Sequence, residues 1–166
     1  MRKSLIAVLL LAAVGAAGAS PLDTARHLYL RTDYRAALDQ LQALPQTDAG
    51  ALLLAGQCHY MLGQFKRASA ALEQAAKLNP SSSEVWLWLG RAYGRRAETA
   101  SFLTAPGLAG KARDSFERAV ALDPANRDAV GDLFDYYLEA PGVLGGGLDK
   151  AAALAERLRD RDPAEY

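Results

Sequence analysis

Cys58 is the one cysteine in this 166-residue chain, so no disulfide can form within it. An exported chain of this size can build its core without one. Histidine is scarce too: His27 and His59 fall on different expected helices. A metal site needs three or four converging ligands, so none is expected. There is no surplus of basic charge, with 19 Lys and Arg against 19 Asp and Glu. That argues against nucleic acid as a partner, which asks for a basic stripe. β-Branched residues are few while alanine is plentiful, and hydrophobic residues make up 51% of the chain. This composition reads as all-helical. The one long apolar stretch, near the start, is about 14 residues, short of the roughly 20 a permanent membrane helix needs.

That stretch has the three parts of a secretory signal peptide. Arg2 and Lys3 give a positive start, Leu5 to Val14 is apolar, and Ala17-Gly18-Ala19 offers a small-x-small cleavage site. Residues 1–19 are therefore expected to be a signal peptide cut after Ala19, and the alternatives are an uncleaved anchor or a buried core helix. No cysteine lies near the cut, so a lipoprotein anchor is not expected. Export ends in the periplasm or outside the cell, and no integral membrane span remains after cleavage. The remaining 147 residues carry 17 basic and 19 acidic side chains, about −2 net. They suit one domain, 20–166.

An internal repeat organises that domain. Leu78-Asn79-Pro80, Leu122-Asp123-Pro124 and Arg161-Asp162-Pro163 each close an amphipathic run. Proline cannot continue a helix and pushes the residue before it out of helical geometry. Twelve, eight and five residues before each proline stand Ala68, Leu72 and Ala75, then Ala112, Phe116 and Ala119, then Ala151, Ala155 and Leu158. Small, large, small is a pattern that lets two helices approach and fills the space beside them. It weakens in the last copy. Upstream, Trp86, Leu89, Gly90 and Tyr93 have spacings that recur in Val130, Leu133, Phe134 and Tyr137, and Leu52, Ala55, Gly56 and Tyr60 stand on the helix before.

These residues resemble the tetratricopeptide repeat, with its W-x2-L-G-x2-Y…A-x3-F…A…P signature and 34-residue period. The best copy is Trp86-x2-Leu89-Gly90-x2-Tyr93, Ala112-x3-Phe116-x2-Ala119 and Pro124. A degraded first copy keeps Leu28, Tyr34, Ala37, Leu41 and Leu44, and Asp48 can cap the helix that follows its turn. The resemblance implies an all-α fold: an α-solenoid of about four helix-turn-helix units in a right-handed superhelix. The units run about 20–47, 48–81, 82–125 and 126–163.

Two departures stand out. Trp86 to Ala112 is 26 residues, ten more than the regular 16, with the extra segment roughly Thr99 to Ala109. Val130 to Ala151 is 21, an excess of five. Both extra segments carry Ala-Pro-Gly, apolar residues, glycine, then Lys-Ala: Ala105-Pro106-Gly107 to Lys111-Ala112, and Ala140-Pro141-Gly142 to Lys150-Ala151. Glycine and proline there are expected to specify turns. Val143 or Leu144 is expected to tuck between helices. The sequence is similar to exported bacterial repeat proteins with such inserts.

Candidate chemistry is thin. Gly142 to Lys150 lacks the G-x4-G-K-[ST] spacing and the preceding strand of a phosphate loop, and reads as an inter-helix turn. Cys58 beside His59 is a poor chelating or nucleophilic pair, because neighbours on a helix point about 100° apart. Cys58 reads as a small core residue. No motif surrounds any serine, so no catalytic residue is assigned and no cofactor is expected. Asp132, Asp135 and Glu139 share a helix face, as do Arg91 and Arg95. A solvated face is the plain reading of both, with an acidic patch in a binding groove or ion pairs to the adjacent helix as alternatives. Trp86 takes the structural position of the motif. Trp88, two residues on, is either a binding anchor or packed under the third unit's insert.

In the tetratricopeptide family the first helix of each pair lines a concave face. The resemblance puts Arg26, Tyr29, Gln57, Tyr60, Trp88, Arg91, Arg95, Asp132 and Asp135 there. It implies a non-enzymatic scaffold that binds another protein or a peptide in that groove. Some members clamp a C-terminal carboxylate with Lys and Asn. The corresponding places here include Leu53, Leu54, Gln57, Glu84 and Trp88, so that ligand is not expected. The alternatives are a small-molecule or lipid binder roofed by Phe102-Leu103 and Val143-Leu144, and self-association through a C-terminal end that lacks a polar capping helix.

Overall fold

The computed structural model describes residues 19–159. The expected signal peptide, apart from Ala19, and the Arg161-Asp162-Pro163 stop lie outside the described residues. Eight α-helices follow one another: α1 (Pro21–Leu30), α2 (Tyr34–Leu41), α3 (Ala49–Met61), α4 (Phe65–Leu78), α5 (Ser83–Glu98), α6 (Ala105–Leu122), α7 (Arg127–Glu139) and α8 (Leu148–Arg159). A 3₁₀ turn, Gly142–Leu144, precedes α8. No strand occurs among the described residues.

Local chemistry sets the boundaries. Ser20, Asp33, Asp48, Ser82 and Asn126 each accept a backbone N–H at a helix start through their side chains. These caps satisfy donors that have no partner within the helix. Asn79 and Asp123, each before a proline, leave helical geometry and end α4 and α6.

The helices pair as antiparallel hairpins, α1 with α2 through to α7 with α8, and α1, α3, α5 and α7 also touch in succession. The architecture is an all-α solenoid of helix-turn-helix units. Ala68, Leu72, Ala75, Ala112, Phe116 and Ala119 are all buried, as their spacing implies. The glycines opposite are required by close approach. A Cβ on Gly56 would stand 2.5 Å from Leu72, and one on Gly90 would stand 2.6 Å from Phe116. In α8 the large buried residues are Leu154, one place before Ala155, and Leu158.

Two cores result. The larger runs from α3 to α8 through Leu52, Leu72, Leu89, Phe116 and Leu133. The smaller joins α1 and α2 to the other side of α3 through Ala25, Leu41, Leu54 and Cys58. α3 is therefore buried on both sides, and this accounts for its apolar run Ala51-Leu52-Leu53-Leu54.

The two inserts, alike in sequence, differ in structure. The expectation of a turn over roughly Thr99 to Ala109 is corrected: the linker is Thr99–Thr104, and Ala105-Pro106-Gly107 begins α6. Pro106 sits in the first turn, where its missing N–H leaves no bond unmade. Ala140-Pro141-Gly142, by contrast, follows the end of α7 and enters the 3₁₀ turn. Gly145 there has φ 90°, and a Cβ on Gly146 would run into the Ala140 carbonyl oxygen. The Gly147 N–H donates to Tyr137 O at 2.8 Å, closing the loop onto α7. Val143 does not tuck between helices, being 90% exposed, whereas Leu144 is half-buried.

Candidate binding groove

The first helices of the units present matching stripes. Leu53, Gln57 and Tyr60 on α3, Glu84, Trp88 and Arg91 on α5, and Asp128, Asp132 and Asp135 on α7 each recur at i, i+4, i+7. That spacing stacks side chains on one face of a helix. The faces of α1, α3, α5 and the start of α7 enclose a cleft of about 650 Å³. Arg26, Tyr29, Gln57 and Trp88, all expected in the groove, line it together with Leu53, Leu54, Leu87, Glu84 and Asp128.

Tyr60 and Arg91 adjoin the cleft through Trp88. The Tyr60 ring meets Trp88 edge-on at 5.4 Å, and the Arg91 guanidinium lies 4.9 Å from the Trp88 ring centre. Such contacts hold an aromatic ring in a fixed pose. Trp88 is therefore a groove residue, half-buried and remote from the third unit's insert. Trp86 faces elsewhere, its indole N–H donating to Pro80 O at 2.9 Å.

Charges in the groove are mutually engaged. The Arg91 Nε donates to Asp132 Oδ2 at 2.5 Å, and a terminal nitrogen reaches Asp128 at 3.3 Å. Asp132 is thus a half-buried ion-pair partner, which corrects the solvated-face reading for that residue, while Asp135 and Glu139 are exposed. Gln57 is buried and donates to Glu84 Oε1 at 2.9 Å. Arg26, at the rim, pairs with Asp23 at 3.3 Å. Burial raises the pKa of Tyr29 and Tyr60 above the ordinary phenol value, so both remain hydroxyl donors at neutral pH.

Arg95 and Asp135 lie apart from this cleft. Arg95 pairs with Glu98 and stacks over Phe65 at 5.3 Å, and Asp135 is exposed on α7. Asp128 is a cleft residue that sequence reasoning did not name, and Leu53 and Glu84, named only at the places of a carboxylate clamp, line the cleft as well. Extending each stripe back by one turn from Trp88, Asp132 and Gln57 reaches all three.

Elsewhere, Cys58 is fully buried and its thiol is pushed up to about 11 by desolvation, as an inert core residue should be. Among the described residues no cluster of three His, Cys, Asp or Glu side chains could hold a metal. Phe102, Leu103 and Val143 are 83%, 77% and 90% exposed, and none of them lines the cleft of the first helices.

Residues 49–92, spanning α3, α4 and most of α5, match the tetratricopeptide repeat family model. No curated protein matches the sequence. Among solved structures, the chain is similar to a thermophilic tetratricopeptide protein of Thermus thermophilus, at TM-score 0.68 and 22% identity over 86% of this chain and 73% of that one. It is similar to MamA at TM-score 0.68 and 20% identity, over 88% and 80%. The second tetratricopeptide domain of human RPAP3, solved with the HSP70 peptide SGPTIEEVD, matches at TM-score 0.58 and 21% identity over 70% and 92%. Residues 49–92 are thus similar to the tetratricopeptide repeat, and the described chain has the helix-turn-helix solenoid fold seen in tetratricopeptide proteins.

Proposed function

We propose that the chain is a non-enzymatic scaffold that binds a segment of another protein in the cleft formed by α1, α3, α5 and α7. The observation that carries this reading is the placement of Tyr29, Leu53 and Trp88 together in an open cleft, with Arg26, Glu84 and Asp128 around them. Rigid aromatic surface ringed by polar groups is what an extended peptide or a helix needs from its receptor. A likeness to a repeat domain solved with a peptide supports the same class of ligand. Arg91 and Asp132 neutralise each other, so the ligand is recognised through its apolar side chains more than through net charge.

Peptides selected by display against the chain provide the test, with affinity read by fluorescence anisotropy. Trp88→Ala is expected to weaken them at least about tenfold, as loss of a central aromatic anchor does. Unchanged helicity by circular dichroism separates this from misfolding. Peptides held equally well by the folded Trp88→Ala variant place the binding surface elsewhere.

We further propose that this activity lies outside the cytoplasm, a reading supported by the signal-peptide pattern at residues 1–19. Fractionation and N-terminal sequencing are expected to give an exported protein beginning at Ser20. A cytoplasmic protein that retains Arg2 and Lys3 would sink this part of the reading.

A further inference from the structure

The turns inside each hairpin all fall at one edge of the solenoid, because α1, α3, α5 and α7 run in the same direction. Exposed bulky apolar side chains gather at that edge: Leu30, Met61, Phe102, Leu103, Leu138 and Val143. Leu78, at the end of α4, is on the opposite edge. Each unit thus places at least one apolar side chain at its turn.

The third unit carries this furthest. With Gly90 aligned on Gly56 and Ala112 on Ala68, α5 runs three residues past the counterpart of Met61, and α6 starts four residues before the counterpart of Phe65. At 1.5 Å of rise per residue, the hairpin projects roughly 5 Å beyond its neighbour at this edge only. Phe102 and Leu103 form its tip.

Beneath the tip lies a cleft of about 680 Å³. Lys66 and Arg96 are the charged residues that line it, beside the hydroxyls of Thr99, Ser101 and Thr104. Arg96 is held in place by a 2.8 Å hydrogen bond to Ser69. Glu98, close in sequence, is engaged by Arg95. At the same edge the first unit carries Arg31 and Arg35 beside Asp33, and the fourth carries Glu139 and Asp149 with Lys150, so basic residues outnumber acidic ones at the turns of the first three units.

An apolar tip over a cationic, hydroxyl-lined cleft complements a membrane surface: acyl chains for the tip, phosphates for the cleft. We propose that this edge docks on an anionic phospholipid bilayer, with Phe102 and Leu103 entering the headgroup–acyl boundary and Lys66 and Arg96 contacting lipid phosphate. No described helix is long and apolar enough to cross a membrane, and this mode of attachment requires none. Phe102, Leu103, Lys66 and Arg96, on which the proposal rests, line no part of the groove.

Because Cys58 is fully buried, a cysteine placed at the tip can be labelled selectively. Full-length Phe102→Cys carrying an environment-sensitive fluorophore is mixed with vesicles of phosphatidylcholine alone or with about a third phosphatidylglycerol. The label is expected to brighten and shift to the blue with the anionic vesicles and to return towards its aqueous spectrum in high salt. The same label on Ala121→Cys, at the opposite edge, should not respond. Phe102→Asp with Leu103→Asp should lower co-sedimentation with anionic vesicles at least about tenfold, and Lys66→Ala about fivefold. Because these side chains are exposed, the variants should keep the parent melting temperature. An unchanged spectrum at position 102 overturns the proposal, as does an equal response at position 121. Protection of the tip by a protein, without vesicle association, would assign it to a protein partner and also overturn the lipid assignment.

Discussion

Alanine in place of glycine should act with opposite sign at two positions one turn apart on α5. At Gly90 the new Cβ would lie 2.6 Å from two Phe116 ring atoms, well inside contact distance. Phe116 is 7% exposed, and the Tyr136 ring lies 6.5 Å from it, so the Phe116 ring has little room to yield. Helix propensity favours alanine by about 1 kcal/mol. Overpacking costs about 1–3 kcal/mol, so Gly90→Ala should lose up to roughly 2 kcal/mol net. At Gly94 a Cβ meets nothing within 4 Å, so Gly94→Ala keeps the propensity term and gains up to about 1 kcal/mol. In a chain of this length 1 kcal/mol moves the midpoint by roughly 2–4 °C. Thermal melts followed by circular dichroism at 222 nm (the helix band) should therefore show the two variants moving apart on either side of the parent. Phe116→Leu in the Gly90→Ala background should recover part of the loss. Equal stabilisation by both alanines would mean that α5 and α6 are not in the close contact described, and the reasoning would fail.

Three further outcomes can be checked in the same way. Thr32, the one described non-glycine residue at positive φ (62°), stands in the turn where the second unit has Gly63 at 71°, so Thr32→Gly should stabilise by about 0.5–1 kcal/mol in urea denaturation, and a loss would refute the strain. A double-mutant cycle on Arg91 and Asp132 should give a coupling of about 1 kcal/mol, above that of an exposed pair, because both side chains are about three-quarters buried; a value indistinguishable from zero would leave α5 and α7 joined by packing alone. His59 has its pKa lowered by burial, with the Gln64 hydrogen bond opposing, so the unfolded chain takes up the proton first as pH falls. The His59 contribution is complete above pH 6.5 and is lost as pH drops from there towards its folded pKa. His59→Gln should flatten this slope in denaturation at about pH 5 and pH 7, and an unchanged slope would remove His59 from the account.

Much of the fold could be read because few interactions dictate it. Proline after Asn79 and Asp123 can only end a helix, and Gly90 opposite Phe116 can only mark a close approach. The groove was legible where a side chain's register on its helix decides which way it faces, as for Arg26, Tyr29, Gln57 and Trp88. Asp128 was missed because first-turn carboxylates are common in helices for dipole reasons and carry no mark of a groove. The engagement of Arg91 with Asp132 joins residues 41 apart in sequence, and no local pattern announces it. The inserts misled for a physical reason. Ala-Pro-Gly is compatible both with the first turn of a helix and with the exit from one, and the residues downstream of the proline decide between them. After Pro106 comes Leu108-Ala109-Gly110-Lys111, which can propagate a helix, whereas after Pro141 comes Gly145-Gly146-Gly147, which cannot do so cheaply.

The division of the interior into two cores bears on how the groove responds to heat and to ligand. Arg26 and Tyr29 stand on α1, and α1 is secured by the smaller cluster of alanines, Leu41, Leu54 and Cys58. Trp88 and Arg91 stand on α5, within the larger one. With the smaller core behind it, the pair α1–α2 opens at a lower free energy than the helices of the larger one. One wall of the cleft is thus built on the smaller core and the other on the larger. A ligand that touches both walls draws on the folding equilibrium of α1–α2 as well as on its own contacts. Its affinity falls with temperature well before the body of the protein melts, and its binding slows amide exchange in α1 and α2 more than in α7.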